Sequence, residues 1–219
     1  RKDTQGRGEA VIILEMLSYS FLARAMLVGV LVSLCSALLG TSLVLKRFSM
    51  IGDGLSHVGF GALAVASALG VAPLAVAVPV VVAAAVLLLR VSQSGRVRGD
   101  AAVALISSGA LAVGVLVISL TSGVNTNVSN YMFGSILTIS RSDAVLSVAL
   151  CAAVLAVFTL FYPRIFAVTF DETFARATGT RAEGYNLLLA ILTAVTVVLG
   201  MRMMGALLIS SLMIFPALS

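Results

Sequence analysis

Long apolar runs separated by short polar segments dominate the chain. A transmembrane helix needs about 20 apolar residues, and a shorter piece at 131–139 predicts only a half-helix lying in or dipping into the membrane. The pattern therefore predicts an all-α, polytopic bundle of transmembrane helices. The seven predicted spans are 21–45, 51–69, 74–89, 101–120, 144–162, 185–200 and a last one that starts near Met203.

The chain is predicted to form a single transmembrane domain over residues 1–219. It begins at Arg1 without Met and ends at Ser219 inside an apolar run, just past Pro216. We therefore expect a truncated C-terminus, and eight or more spans in the full protein. Gly and Ala are abundant throughout the spans, and small residues let helix backbones approach closely in lipid. A tightly packed bundle is expected.

Composition supports lipid as the natural solvent. The chain is 60% hydrophobic and 11% charged, whereas soluble domains carry about 25% charged residues. The formal net charge is +5. In a membrane protein such an excess belongs to Lys and Arg in cytoplasmic loops, so we expect no nucleic-acid partner. Cys35 and Cys151 both lie in apolar runs and are interpreted as small buried hydrophobic residues.

Loop charge predicts the orientation. The loops at 46–50, 90–100 and 163–183 together carry eight Lys and Arg residues, whereas the opposite loops carry only Arg141 and Arg202. The positive-inside rule places the first set in the cytoplasm. The N-terminus then faces outward, although three basic residues among the first seven positions run against this assignment.

Two ionisable residues lie inside the second predicted span. Such residues cost roughly 2.5–3.5 kcal/mol on insertion scales. Asp53 and His57, the only histidine, are four residues apart and share one helix face, roughly 6 Å apart along the axis. Counted from Arg47, His57 lies about 15 Å deep, near the bilayer centre.

A carboxylate and an imidazole at this spacing can both reach one metal ion. Two ligands are too few for a stable site, and a homodimer with its two-fold axis along the pore would supply two Asp53 and two His57. Spacing alone leaves three interpretations open: a metal site, a structural hydrogen bond and a proton relay.

A family resemblance rests on five segments in order. Residues 43–57 contain a basic pair followed by Gly-Asp-Gly-Leu-Ser-His and resemble the signature of the zinc/manganese/iron ABC transporter permease family. The four further matching segments, which extend the resemblance over nearly the whole chain, are 98–100, 131–137, 170–179 and 214–217.

The resemblance implies roles for particular residues. Asp53 and His57 correspond to the metal-coordinating pair of the translocation pathway. Segment 170–179 corresponds to the part that docks on the ATP-binding subunit, and its composition fits a short amphipathic helix with acidic residues at its N-terminus and Gly179 as a C-cap. The ATPase-coupling residues are then Phe170, Asp171, Glu172, Phe174, Ala175, Arg176 and Gly179.

The function implied by the resemblance is that of the permease subunit of an ABC importer for Zn, Mn or Fe, working by alternating access in a prokaryotic inner membrane. No cofactor is expected to stay bound. The sequence has no Gly-x-x-x-x-Gly-Lys-Ser/Thr phosphate loop, so a cytoplasmic ATP-binding subunit would supply the energy, and the permease itself would not be an enzyme. The other implied partners are an extracytoplasmic metal-binding protein and a second permease copy.

Three alternatives remain open. They are an ABC permease for a chelated metal or cobalamin, a proton-coupled secondary transporter using Asp53 and His57, and a membrane scaffold without transport activity. The sequence does not choose among Zn, Mn and Fe, because all three accept mixed nitrogen and oxygen ligands. Residues interpreted as solvated outer loop or as packing are Asn125, Asn127, Asn130, Met201, Met203 and Met204.

Overall fold

The computed structural model describes residues 19–46, 48–93, 99–121, 133–134 and 141–218. Within these ranges the regular secondary structure is entirely helical, which confirms the all-α prediction. The helices are α1 (Ser20–Leu45), α2 (Ser49–Ala68), α3 (Pro73–Gln93), α4 (Gly99–Leu120), α5 (Arg141–Leu160), α6 (Tyr162–Phe170), α7 (Glu172–Ala177), α8 (Ala182–Met204) and α9 (Ala206–Leu218).

Helices lie at all seven predicted spans. In the described part of the chain, α1, α3, α4 and α8 are long and apolar enough to cross a membrane, and α5 with α6 makes a fifth span if the bent pair counts as one. Helix α2 has 20 residues, but Asp53, His57 and several serines and glycines make it less apolar. Helix α9 is shorter, with 13 residues. The predicted half-helix at 131–139 falls outside the described residues, apart from 133–134.

Helix α8 forms the centre of the bundle. It packs against α1, α2, α3 and α9, and 67% of its apolar stretch is buried. Helix α4 is peripheral: it packs mainly on α2, and only 17% of its apolar stretch is buried. One face of α2 is therefore covered by α4, and the core lies where α8 contacts α1, α2 and α3.

The backbones of helices α2 and α4 lie almost in contact where the two helices cross. A Cβ added at Gly61 would lie 2.6 Å from the carbonyl oxygen of Ala110, and one added at Gly114 would lie 3.0 Å from the Cα of Gly61. Such approach requires small residues at the crossing, as in other membrane helix pairs. The predicted tight packing is confirmed here.

Helix α6 is a departure from the sequence prediction, which treated 163–183 as a polar loop. It continues from α5 after a bend of 69°, with Pro163 in its first turn, where a missing N–H costs no hydrogen bond. Ile165 and Val168 are buried against the bundle, whereas Phe166 and Phe170 are largely exposed. Helix α6 is thus an amphipathic helix whose axis turns away from that of α5 by 69°.

The three basic loops meet at one end of the bundle, as the charge pattern predicted. The Nζ of Lys46 lies 3.8 Å from the Oε2 of Glu172, which joins the first loop to the third. Phe48, Ser92 and Asp100 line one small cavity, which joins the first loop to the second. We call this the basic end of the bundle.

Cys35 and Cys151 are buried and unbridged, as predicted. The Sγ of Cys35 lies 3.7 Å from the carbonyl oxygen of Cys151. The two thiols therefore belong to the packed contact between α1 and α5.

Candidate metal site and coupling segment

Asp53 and His57 lie on one open face of the central part of α2, which is otherwise buried from Ile51 to Ala64. Between Ile51 and Ala64, they are the two residues of α2 that are not buried. Their side chains are 47% and 28% exposed, and the Nε2 of His57 lies 3.7 Å from the Oδ2 of Asp53. The predicted shared face is confirmed, and the pair is not sealed inside a helix contact.

The separation of the two groups suits a shared cation better than a direct hydrogen bond. An N–H···O hydrogen bond is about 2.7–3.2 Å long, shorter than the observed 3.7 Å. Two ligands that each lie about 2.0–2.2 Å from one tetrahedral ion are about 3.4 Å apart. A small movement of either side chain would bring both groups to an ion.

One chain alone supplies an incomplete ligand set. In the part of the chain that the structure describes, no three His, Cys, Asp or Glu residues are grouped so as to hold a metal ion. The nearby Ser56 is occupied, since its Oγ donates to the backbone oxygen of Asp53 at 2.7 Å and lies 3.4 Å from the Oγ of Ser210. Among the described residues, Asp53 and His57 therefore need further ligands, which water or another molecule could supply.

Glycines on both sides of Asp53 hold α2 rigidly between its neighbours. A Cβ added at Gly52 would lie 2.8 Å from the Sδ of Met213 on α9, and one at Gly54 would lie 2.5 Å from Val103 on α4. The flanking glycines therefore serve close packing between helices. Sequence analysis missed Met213 and Ser210, because both lie in an apolar run without a distinctive pattern.

The predicted short helix in 170–179 is present and capped at both ends. The Oδ1 of Asp171 accepts a hydrogen bond from the backbone N–H of Phe174 at 2.9 Å, which is a regular N-cap. At the other end Gly179 has φ +84°, and the N–H of Thr180 donates to the carbonyl of Ala175 at 2.9 Å, as in a Schellman motif. The local sequence thus determines where α7 begins and where it ends.

Helix α7 is anchored on one side and exposed on the other. Ala175 packs with Val168 and Ala182 in a small cluster of its own, whereas Phe170 and Phe174 are each 63% exposed. Phe170, the last residue of α6, and Phe174, on α7, are thus exposed aromatic side chains at the basic end, of the kind found in protein contacts. Both are available to a partner.

Polar contacts join Glu172 to Arg176 within the coupling segment and to Asn186 on α8. Its carboxylate accepts a hydrogen bond from Arg176 at 2.7 Å and one from the Nδ2 of Asn186 at 3.2 Å. Burial alone would raise the pKa of Glu172, but these hydrogen bonds and the charge of Lys46 outweigh it and lower the pKa. Sequence analysis did not single out Lys46 or Asn186 as a site, because they are 140 positions apart.

The residues assigned to packing at the opposite end behave as predicted where they are described. Met201 and Met203 are buried, and the Cε of Met201 lies 2.7 Å from a Cβ added at Gly59. Asn125, Asn127 and Asn130 lie outside the described residues, so their predicted loop role stays a prediction.

Comparison with known proteins gives consistent matches along the chain. The ABC 3 transport family matches residues 18–219. The manganese transport system membrane protein MntC of Halalkalibacterium halodurans is 29% identical over 202 residues, which are 92% of this chain and 69% of that protein. The high-affinity zinc uptake system membrane protein ZnuB of Haemophilus influenzae is 29% identical over 199 residues, 91% of this chain and 76% of that protein.

A solved structure shares the fold. PsaBC from Streptococcus pneumoniae, in complex with a Fab, superposes with a TM-score of 0.81 at 25% sequence identity. The match covers 94% of this chain and 74% of that chain. The helical bundle described above therefore has the same fold as that solved structure.

Proposed function

The chain belongs to the ABC 3 transport family, and from that premise we propose that it is the membrane-spanning permease subunit of an importer for Zn, Mn or Fe. The observation that carries the proposal is the open face of α2, where Asp53 and His57 are the two unburied residues between Ile51 and Ala64. Relatives named for manganese and zinc transport support the choice of a transition metal as the substrate.

The ion is held briefly at Asp53 and His57 and then released inward. A carboxylate offsets part of the ion's charge, and neutral imidazole suits these metals. One chain provides two ligands, and a second copy related by a two-fold axis along the pathway would provide two more, giving an N2O2 set. A sparse site of this kind suits transport, because the ion must bind and also leave.

Two partners besides the second permease copy complete the importer. A cytoplasmic ATP-binding subunit docks on α7 through the exposed face that carries Phe170 and Phe174, and ATP hydrolysis there drives alternating access. An extracytoplasmic metal-binding protein delivers the ion at the opposite end. The basic end faces the cytoplasm, so the chain is a multi-pass protein of a prokaryotic inner or plasma membrane.

The test is metal uptake into proteoliposomes that contain the permease with its ATP-binding subunit, supplied with the extracytoplasmic metal-binding protein and compared for Mn²⁺, Zn²⁺ and Fe²⁺. Asp53→Ala and His57→Ala each remove one ligand, and we expect uptake of the cognate ion to fall at least about tenfold. Met50→Ala is the matched control, because Met50 is on the same helix and 55% exposed but offers no hard ligand.

The same assay separates the alternatives. Uptake that survives His57→Ala would favour a chelated metal or cobalamin as the substrate. Uptake driven by a proton gradient without ATP would indicate a secondary transporter. Absence of uptake under every condition would leave the scaffold interpretation.

A further inference from the structure

A charged cluster at the basic end joins three separate parts of the chain. The Oε2 of Glu172, on α7, lies 3.8 Å from the Nζ of Lys46, which follows α1. Asn186, in the first turns of α8, bridges the two, because its Oδ1 accepts from Lys46 and its Nδ2 donates to Glu172. We call Lys46, Glu172 and Asn186 the clamp.

The clamp is held together by the cost of leaving Lys46 unpaired. The Lys46 side chain is only 6% exposed, and burial lowers its pKa while the charge of Glu172 opposes that shift. A buried ammonium that loses its partner is strongly destabilising. When α7 moves, Lys46 must therefore move with Glu172, or the ion pair between them is lost.

The clamp lies next to the helix that carries the metal pair. Lys46 precedes the start of α2 by three residues, and Asp53 is the fifth residue of that helix. Asn186 belongs to α8, the central helix. Glu172 is thus linked by contacts both to the turn before α2 and to the core of the bundle.

Resting on the proposed function, we propose that Glu172 is a positioning residue that transmits the movement of the ATPase-docking helix through Lys46 to the metal pair on α2. The aromatic face of α7 contacts the ATP-binding subunit, and the carboxylate on the inward side holds α1 and α8. Coupling carried by a hydrogen-bonded network between rigid helices is physically sufficient for such transmission. No other described carboxylate contacts both Lys46 and α8.

The experiment uses the full complex in proteoliposomes and measures ATP hydrolysis and Mn²⁺ or Zn²⁺ uptake on the same samples. Glu172→Gln removes the charge that holds Lys46. We expect a complex that assembles and hydrolyses ATP, with ions taken up per ATP reduced at least about tenfold, the factor that corresponds to the loss of a hydrogen bond to a charged group. Glu183→Gln is the matched control, because Glu183 is 77% exposed and contacts Arg176 at 3.9 Å without reaching Lys46; its ratio should equal that of wild type.

The exchange Lys46→Glu with Glu172→Lys tests the pair itself. We expect each single change to lower the ratio and the double change to restore part of it, as in a double-mutant cycle.

Three outcomes would overturn the proposal: an unchanged ratio in Glu172→Gln, loss of assembly with the ATP-binding subunit in that variant, or no recovery in the double exchange when both single variants fold. A reduced melting temperature with a normal ratio would likewise make the clamp a purely structural contact. Failure of the proposed function is distinguishable, because the wild-type complex would then show no ATP-driven uptake of either ion.

Discussion

The crossing of α2 and α4 provides a direct test of the fold around the proposed metal ligands, Asp53 and His57. Gly61→Ala places a methyl group 2.6 Å from the carbonyl oxygen of Ala110. Carbon–oxygen contacts between helices are about 3.3–3.6 Å, so the two backbones must separate by about 0.7 Å or more. Because the obstacle is backbone, no side-chain rotation relieves it.

The magnitude follows from the packing that is lost. A radial gap of about 0.5–1 Å forfeits a quarter to a half of each van der Waals contact, and overpacking of a tight core costs about 1–3 kcal/mol. Alanine also favours the helix over glycine by up to about 1 kcal/mol. Gly109→Ala on α4 isolates the clash, since a Cβ there meets nothing within 4 Å and keeps the same gain in helix propensity.

The assay is reversible unfolding of the purified permease in detergent micelles, followed by helicity. We expect Gly61→Ala to lower the free energy of unfolding by about 1–3 kcal/mol relative to Gly109→Ala. Equal stability of the two variants would mean that α2 and α4 do not cross at Gly61, and the placement of the open face of α2 would then need revision.

Two further predictions concern the partners. Gly179 has φ +84°, and this left-handed conformation costs other residues about 1–2 kcal/mol. Gly179→Ala should therefore weaken binding of the ATP-binding subunit, measured by co-purification. Gly184→Ala should not, because a Cβ there has no contact within 4 Å and the residue has no positive φ. Met50→Cys should form a disulfide-linked dimer under mild oxidation with copper phenanthroline, since Met50 is 55% exposed and lies one turn before Asp53. Leu160→Cys on α5, where the side chain is 75% exposed, should not. The reverse pattern would exclude a two-fold axis beside α2.

Much of the fold follows from local sequence. Apolar runs of about 20 residues must be helical in lipid because backbone groups find no other partners there. The spacing of Asp53 and His57 fixes their common face through helix geometry. Helix α7 was predictable from Asp171, which caps it, and from Gly179, which ends it.

Burial within the bundle was not predictable in the same way. Helices α4 and α8 are both apolar along their length, yet 17% of one apolar stretch and 67% of the other are buried. Lipid tails are as apolar as leucine, so hydrophobicity does not separate a lipid-facing surface from a helix contact. Only the small residues at crossings, such as Gly61 and Gly114, give a local signal.

Helix α6 was missed for a different reason. Pro163 and Arg164 interrupt the apolar pattern after α5, and we interpreted them as the start of a loop. Proline is well placed in the first turn of a helix, and the aromatic residues that follow at intervals of four were the available signal: the rings of Phe166 and Phe170 lie 4.4 Å apart. The clamp had no such signal, because it depends on tertiary contacts.

The geometry of α2 explains why a contact at its start can act on the metal pair. The helix is held at Gly61 by the backbone of α4 and at its beginning by the turn that contains Lys46. Asp53 lies eight residues before Gly61, which is about 12 Å along the helix axis. A tilt of about 10° around the crossing therefore displaces Asp53 by about 2 Å, comparable to a metal–ligand bond of about 2.0–2.2 Å. Such a tilt moves Asp53 and His57 together, away from the ligands that a second copy would supply, so the proposed release of the ion requires no bending of α2 itself.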